Sequence, residues 1–190
     1  MSEKGKILVL VAPSGGGKST MAGRLLKDFK NLRFSVSATT RSPREGEKNG
    51  VHYHFLSREE FKKSVENGDF IEWEEFYNGT LYGTLRSNVE NELKKGYFIL
   101  LDIDVLGALN VKKIFEDDAL TIFIQPPSID VLKKRLMKRG TEDNRNLETR
   151  IDRAKKEMAY ADRFDKVVIN DDLEIAYSQI KELVTNFINQ

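Results

Sequence analysis

Lys18 and Ser19 close the stretch ILVLVAPSGGGKST (residues 7–20), and together with the glycines before them they suit a grip on a nucleoside triphosphate. Ala12, Pro13, Ser14, Gly15, Gly16, Gly17, Lys18 and Ser19 spell Ala-x-x-x-x-Gly-Lys-Ser. The strict phosphate-loop pattern begins with glycine, and a small alanine meets the same steric need. Consecutive glycines let backbone N–H groups turn inward toward phosphate oxygens. Lys18 would reach the β- and γ-phosphates, and Ser19, or less directly Thr20, would hold Mg²⁺. The bland alternative is a glycine-rich turn with an incidental lysine. An apolar run before the loop and a helical stretch after it, which aims a helix N-terminus at the anion, tell against that alternative.

Other residues invite a second anion. Arg41 and Arg44 stand three apart in TTRSPR, with Pro43 restricting the backbone between them. Both guanidiniums can therefore present to one phosphate, which arginine matches with two parallel hydrogen bonds. Tyr53 and Tyr82 could add hydroxyl donors. In LLDID, Asp102 and Asp104 have the period of two that points side chains to one side of a strand. At the C-terminal edge of a parallel sheet that side faces a ligand crevice. Asp102 could act on Mg²⁺ through water, or both aspartates could contact a nucleoside. Arg135 and Arg139, four apart, and Arg150 and Arg153, three apart, form two pairs on neighbouring helical stretches. Such pairs would clamp charge on a transferring phosphoryl group, with Arg135 and Arg150 the better candidates for catalysis. Arg153 reads equally well as part of a solvated basic face.

The elements that must position these residues follow from the apolar pattern. Residues 6–11, 97–102, 120–124 and 166–169 are short, near-continuous apolar runs, as buried parallel strands require. Residues 18–29, 105–116, 128–138, 147–162 and 172–189 read as helices, the last with an apolar stripe and Asp171 or Asp172 as its cap. This βα alternation predicts an α/β protein with a three-layer core around a parallel sheet. Residues 34–85 interrupt it with strand-like pieces and the turn signals Asn49-Gly50, Asn67-Gly68 and Asn78-Gly79, predicting a small, mostly antiparallel insertion. Residues 126–158, opening with Pro126-Pro127 and rich in arginine, suit a helical hairpin projecting from the core. The expected division is 1–33, 86–125 and 159–190 for the core, 34–85 for the insertion and 126–158 for a lid.

Bulk properties narrow the classes. The 190 residues carry 31 basic and 30 acidic side chains, a net charge of +1 that offers no global field for nucleic acid. There are no cysteines, so disulfides and thiolate metal sites are excluded. The N-terminal apolar run is too short for a signal segment, and no run approaches a membrane span. A cytoplasmic protein with no obligatory protein partner is the expectation.

FSVSATTRSPREGEKNGVHYHF, FIEW, YGT, LLDID, RLMKRGTED and VINDD, in that order, make the chain similar to guanylate kinases over roughly residues 6–187. The resemblance implies a P-loop core, a small acceptor-binding domain and a mobile lid. It also implies phosphoryl transfer from ATP to GMP with Mg²⁺. No residue can be assigned to a ribose 2′-hydroxyl, so dGMP is expected as a further acceptor. Arg41, Arg44, Tyr53 and Tyr82 would bind the acceptor phosphate. Guanine offers N1–H and N2–H₂ as donors and O6 as an acceptor, so its pocket wants a carboxylate and a hydroxyl or N–H. The family places its carboxylate at Glu72, with Ser37 and Thr84 supplying hydroxyls. On residue type alone Glu72 is only one of several acids in EWEE. The resemblance favours the acceptor nucleoside for Asp102 and Asp104. Arg139 could instead lie against the adenine face, since guanidinium stacks on rings, and Asn170 could read the adenine edge. Gly140 would flex as the lid closes. The chain departs from the family at Leu106, where Gln-Gly-Ala is usual.

Other readings compete. A related P-loop kinase could act on another monophosphate or a phosphorylated sugar, but Glu72 with Ser37 and Thr84 argues against it. A guanylate-kinase-like binding module typically lacks a working phosphate loop, whereas Lys18 and Ser19 are present. A switch GTPase would carry Asn-Lys-x-Asp, which this sequence does not.

Overall fold

The computed structural model describes residues 5–76, 79–138 and 144–190. In chain order these form β1 (Ile7–Val11), α1 (Lys18–Asp28), β2 (Leu32–Phe34), β3 (Ala38–Thr39), β4 (His54–Phe55) and α2 (Arg58–Glu66). Next come β5 (Phe70–Glu75), β6 (Leu81–Leu85), α3 (Arg86–Lys94), β7 (Phe98–Asp102) and α4 (Val105–Phe115). The chain ends with β8 (Ala119–Gln125), α5 (Ile129–Lys138), α6 (Asn144–Met158), β9 (Lys166–Ile169) and α7 (Leu173–Ile188).

Five strands form one sheet in the order β2-β7-β1-β8-β9, with every pairing parallel. β1 lies near its middle and is buried at every residue. Strand alternation sends Ile7, Val9 and Val11 into one core layer with Val89, Leu93 and Val111. Leu8 and Leu10 enter the opposite layer with Met21, Leu25 and Ile180. A strand covered on both faces must be apolar throughout, which is why ILVLV shows no alternation.

The stretch 34–40, which reads as one strand, is divided between two sheets. Phe34 ends β2 in the parallel sheet, whereas Ala38 and Thr39 form β3 in a second sheet of order β4-β3-β6-β5. That second sheet is mixed: β3 pairs parallel with β4 and antiparallel with β6, and β5 pairs antiparallel with β6. The strand-and-turn reading of 34–85 omits α2. The Ser57 hydroxyl accepts from Glu60 N, and the Glu60 carboxylate accepts from Ser57 N, a reciprocal cap that starts this helix. Asn67-Gly68 accordingly ends α2 rather than turning a hairpin, and Gly68 has φ 73. Phe61 of α2 is fully buried and stacks on Phe70 with ring centroids 4.4 Å apart. The sequence reading also omits β2 and α3; α3 returns the chain to the main core through Val89 and Leu93.

α5 and α6 pack on one another around Leu132, Leu136, Leu147, Ile151 and Ala154. One place where this pair meets the rest of the chain is the glycine-rich loop, where a Cβ on Gly15 would lie 3.0 Å from Leu136 and 3.1 Å from Leu132.

Candidate active site

The loop between β1 and α1 is shaped by backbone conformations that require glycine. Gly15 has φ 86 and Gly17 has φ 101, a region that costs other residues roughly 1–2 kcal/mol. Gly17 occupies the N-cap of α1, leaving the first N–H groups of that helix toward the cleft. The Asn170 side chain, 4% exposed, donates to Gly16 O at 2.8 Å. A Cβ on Gly17 would collide with that amide. Asn170 thus braces the loop from beneath, with its amide committed to the backbone.

Lys18 Nζ does not project freely. It is 2.5 Å from Asp102 Oδ1 and donates to Ile103 O at 3.1 Å. Parallel pairing of β1 with β7 sets this contact, because Leu10 is in register with Asp102. Ser19 and Thr20 are exposed at the start of α1, and Ser19 lines the cleft above the loop. That cleft has a volume of about 650 Å³ and is walled by the loop on one side and the second sheet on the other.

Glu72 stands on the second wall. It is in register with Thr84 across β5 and β6, and the Thr84 hydroxyl donates to Glu72 Oε1 at 2.5 Å. Burial pushes the Glu72 carboxyl up from 4.5 to about 7; the Thr84 bond opposes the rise, while Asp104 and Glu74 add to it. Asp104 caps α4 by accepting from Gly107 N at 2.8 Å. A Cβ at Gly107 would lie 2.8 Å from Asp104 Oδ1 and 2.9 Å from Glu72 Oε2, so glycine admits both carboxylates. Ser37, Tyr53, Tyr82, Asp102 and Asp104 line the same cleft. A carboxyl group beside a hydroxyl, in the same cleft as a phosphate loop, suits a ligand that is a donor at one end, against its ionised form, and an anion at the other.

Arg41 is fixed by a partner that residue spacing alone does not reveal. Its guanidinium makes a bidentate pair with Glu47 at 2.6 and 2.7 Å and lies 4.9 Å from the centroid of the Tyr53 ring. This pairing, with the Arg44 N–H donating at 2.7 Å, holds the Glu47 carboxyl down at about 2. Tyr82 is a further partner of Arg41. Arg44 itself is exposed, and its charge also favours the ionised form of Glu47.

The lid arginines divide. Arg150 reaches the phosphate loop, where Nε and Nη2 both donate to Ser14 Oγ. Arg153 also faces the cleft. Arg135 lies elsewhere: it donates to Asn170 O at 2.8 Å in a separate depression of about 320 Å³ shared with Gly15, Gly17, Lys138, Asp171 and Leu173. Arg135 and Arg150 therefore approach the loop from different sides. Arg139 and Gly140 lie outside the described residues. Glu74, Phe76 and Glu157 complete the cleft wall and had no distinguishing signal in the sequence.

A glycine-rich loop joining the inner strand of a parallel sheet to a helix, with a lysine at its end, defines an α/β P-loop nucleotide-binding protein. The family model described as guanylate kinase matches residues 4–187, and the chain belongs to that family. A guanylate kinase of Chlorobium luteolum is 51% identical over 97% of this chain and 93% of that protein. One from Salinibacter ruber is 52% identical over 96% of this chain and 97% of its own length. The crystal structure of guanylate kinase from Anaplasma phagocytophilum superposes with a TM-score of 0.74 at 35% identity, covering 97% of this chain and 86% of that one.

Proposed function

We propose that this protein transfers the γ-phosphoryl group of ATP to GMP, giving ADP and GDP, and accepts dGMP as a second acceptor. The observation that carries the reading is the Glu72–Thr84 pair, 2.5 Å apart, in the same cleft as the phosphate loop. Guanine N1–H and N2–H₂ can donate to the carboxylate, while adenine lacks the N2 donor and would leave the carboxylate unpaired. On this reading 1–33, 86–125 and 159–190 form the core, 34–85 holds GMP and 126–158 acts as lid. The nucleotides are its partners, and the cytoplasm, where nucleotide pools are held, is its place of action. Among the described residues, no helix is long and apolar enough to cross a membrane.

The chemistry needs no catalytic base. The second ionisation of a phosphate monoester lies near pH 6, so the attacking oxygen is already anionic at neutral pH. Catalysis becomes the holding of two anions in line and the neutralising of their repulsion. Lys18 would leave Asp102 for the β- and γ-phosphates, and Arg150 would leave Ser14 for the same anion. Arg41, with Arg44, Tyr53 and Tyr82, would take the acceptor phosphate. Arg135, Arg139 and Asn170 would bind or position the donor. Ser37 would face the guanine, and Asp102 and Asp104 would contact the acceptor nucleoside. Ser19 directly and Asp102 through water offer hard oxygen donors in one cleft that would fit Mg²⁺, which when bound neutralises charge between the phosphates.

A coupled assay of ADP formation with GMP, AMP, UMP and CMP tests the reading. GMP should be used far faster than the other three. A preference for AMP would remove Glu72 from the base pocket, and tight binding without turnover would favour an adaptor.

A further inference from the structure

Two arginines one helical turn apart on α6 reach in different directions. Arg150 donates to Ser14 in the phosphate loop. Arg153 Nη2 lies 3.4 Å from Glu74 Oε1 on β5, while its Nε donates to Glu157 Oε1 at 2.7 Å. The same guanidinium sits 5.4 Å from the centroid of the Phe76 ring, which meets Tyr82 edge-on at 5.1 Å. The lid helix is thereby joined by side chains to both walls of the cleft.

Glu74 is two residues beyond Glu72, so both carboxylates leave the same face of β5. Both also feel the charge of Asp104. A movement of α6 that displaces Arg153 therefore acts on the strand that carries Glu72. The contact is built for adjustment more than for folding: the two side chains are 28% and 32% exposed, and partly exposed pairs contribute little to stability. At 3.4 Å the charges are also further apart than the 2.7 Å Arg153–Glu157 bond, which leaves room to tighten.

We propose that Arg153 is a positioning residue which, through Glu74, couples occupancy of the phosphate loop to the setting of Glu72, making α6 the element by which the two nucleotide sites sense one another. When donor phosphates take Arg150 from Ser14, α6 shifts; Arg153 carries that shift to β5, and the acceptor is held more tightly. The inference rests on the reading that Glu72 faces the acceptor base. By linkage the coupling is reciprocal, so GMP strengthens donor binding by the same factor.

The test is calorimetric titration of GMP into the full chain, with and without a saturating non-hydrolysable ATP analogue and Mg²⁺. In the unsubstituted protein the analogue should lower the GMP Kd by about fivefold to tenfold, the low end of the usual range of coupling. In Arg153→Ala and Glu74→Ala that ratio should fall to about one, while the Kd without analogue moves by no more than about twofold. The double substitution should lose no more than either single one, and Arg153→Lys should keep part of the ratio. KM for GMP at saturating ATP should rise in the Ala variants with kcat less affected, a split that simple destabilisation would not give. A full ratio in folded Arg153→Ala, additive losses in the double variant, or a ratio of one in the unsubstituted protein would overturn the coupling. These failures leave GMP binding in place, whereas absence of GMP binding in both conditions overturns the acceptor assignment as well.

Discussion

Replacing Glu72 with Gln should make the empty protein more stable, and only above about pH 5. Burial holds the Glu72 carboxyl protonated to about pH 7 against an ordinary 4.5, so the folded chain keeps a proton that the unfolded chain gives up. Stability from this group is full below 4.5 and declines as pH rises through 7. At 1.36 kcal/mol per pH unit the gap corresponds to roughly 3 kcal/mol by pH 8. Glu72 keeps some access to solvent along the cleft, which lowers the expected value to about 2 kcal/mol. Glutamine retains an oxygen for the Thr84 hydroxyl, and its NH₂ turns a repulsion with Asp104 into an attraction. Thermal melts of both proteins from pH 4.5 to 8 would measure this. A gain near zero at pH 4.5 should grow to roughly 4–8 °C at pH 8, taking 2–4 °C per kcal/mol for a chain of this size. A gain independent of pH, or a less stable variant at pH 8, would refute the reasoning. The same substitution should sharply weaken GMP selectivity with little effect on ATP affinity.

Other expectations follow from single contacts. Lys18→Ala should lower kcat by about a hundredfold to a thousandfold, measured by ADP release at saturating substrates, since it removes a fixed cation from the transferring phosphoryl group. Glu47→Ala frees Arg41 from its bidentate partner. It should raise KM for GMP by about tenfold with less effect on kcat, the size of one lost charge-assisted contact. Gly17→Ala forces an L-residue into φ 101 against the Asn170 amide, and should cost roughly 1–3 kcal/mol in a denaturant melt. Adding Asn170→Ala should not restore it, because the backbone strain remains.

How much was legible in the sequence depends on the range of the interactions. The phosphate loop is readable because its requirements are local: glycines at positive φ, a lysine at the helix start and an apolar strand before it. The capping box Ser57-x-x-Glu60 is just as local, yet α2 is hidden by the strand-like residues on either side of it. Residues 34–40 read as one strand because nothing in their own pattern marks the passage between sheets; only the positions of β7 and β6 divide them. Asn67-Gly68 carries the chemistry of a turn that serves a helix end as well as a hairpin.

The sequence by itself determined the α/β alternation, the phosphate grip and the set of charged residues available to a second ligand. The tertiary structure decided how those charges are matched. Asp102 meets Lys18 because β7 lies beside β1 in a register that no local pattern states. Glu72 becomes the odd carboxylate of EWEE because its cross-strand neighbour is Thr84 and its surroundings are buried. Arg153, unremarkable on its helix, gains a partner 79 residues away in sequence. Local steric rules can be read one residue at a time, but an electrostatic environment is a sum over groups that only folding brings together.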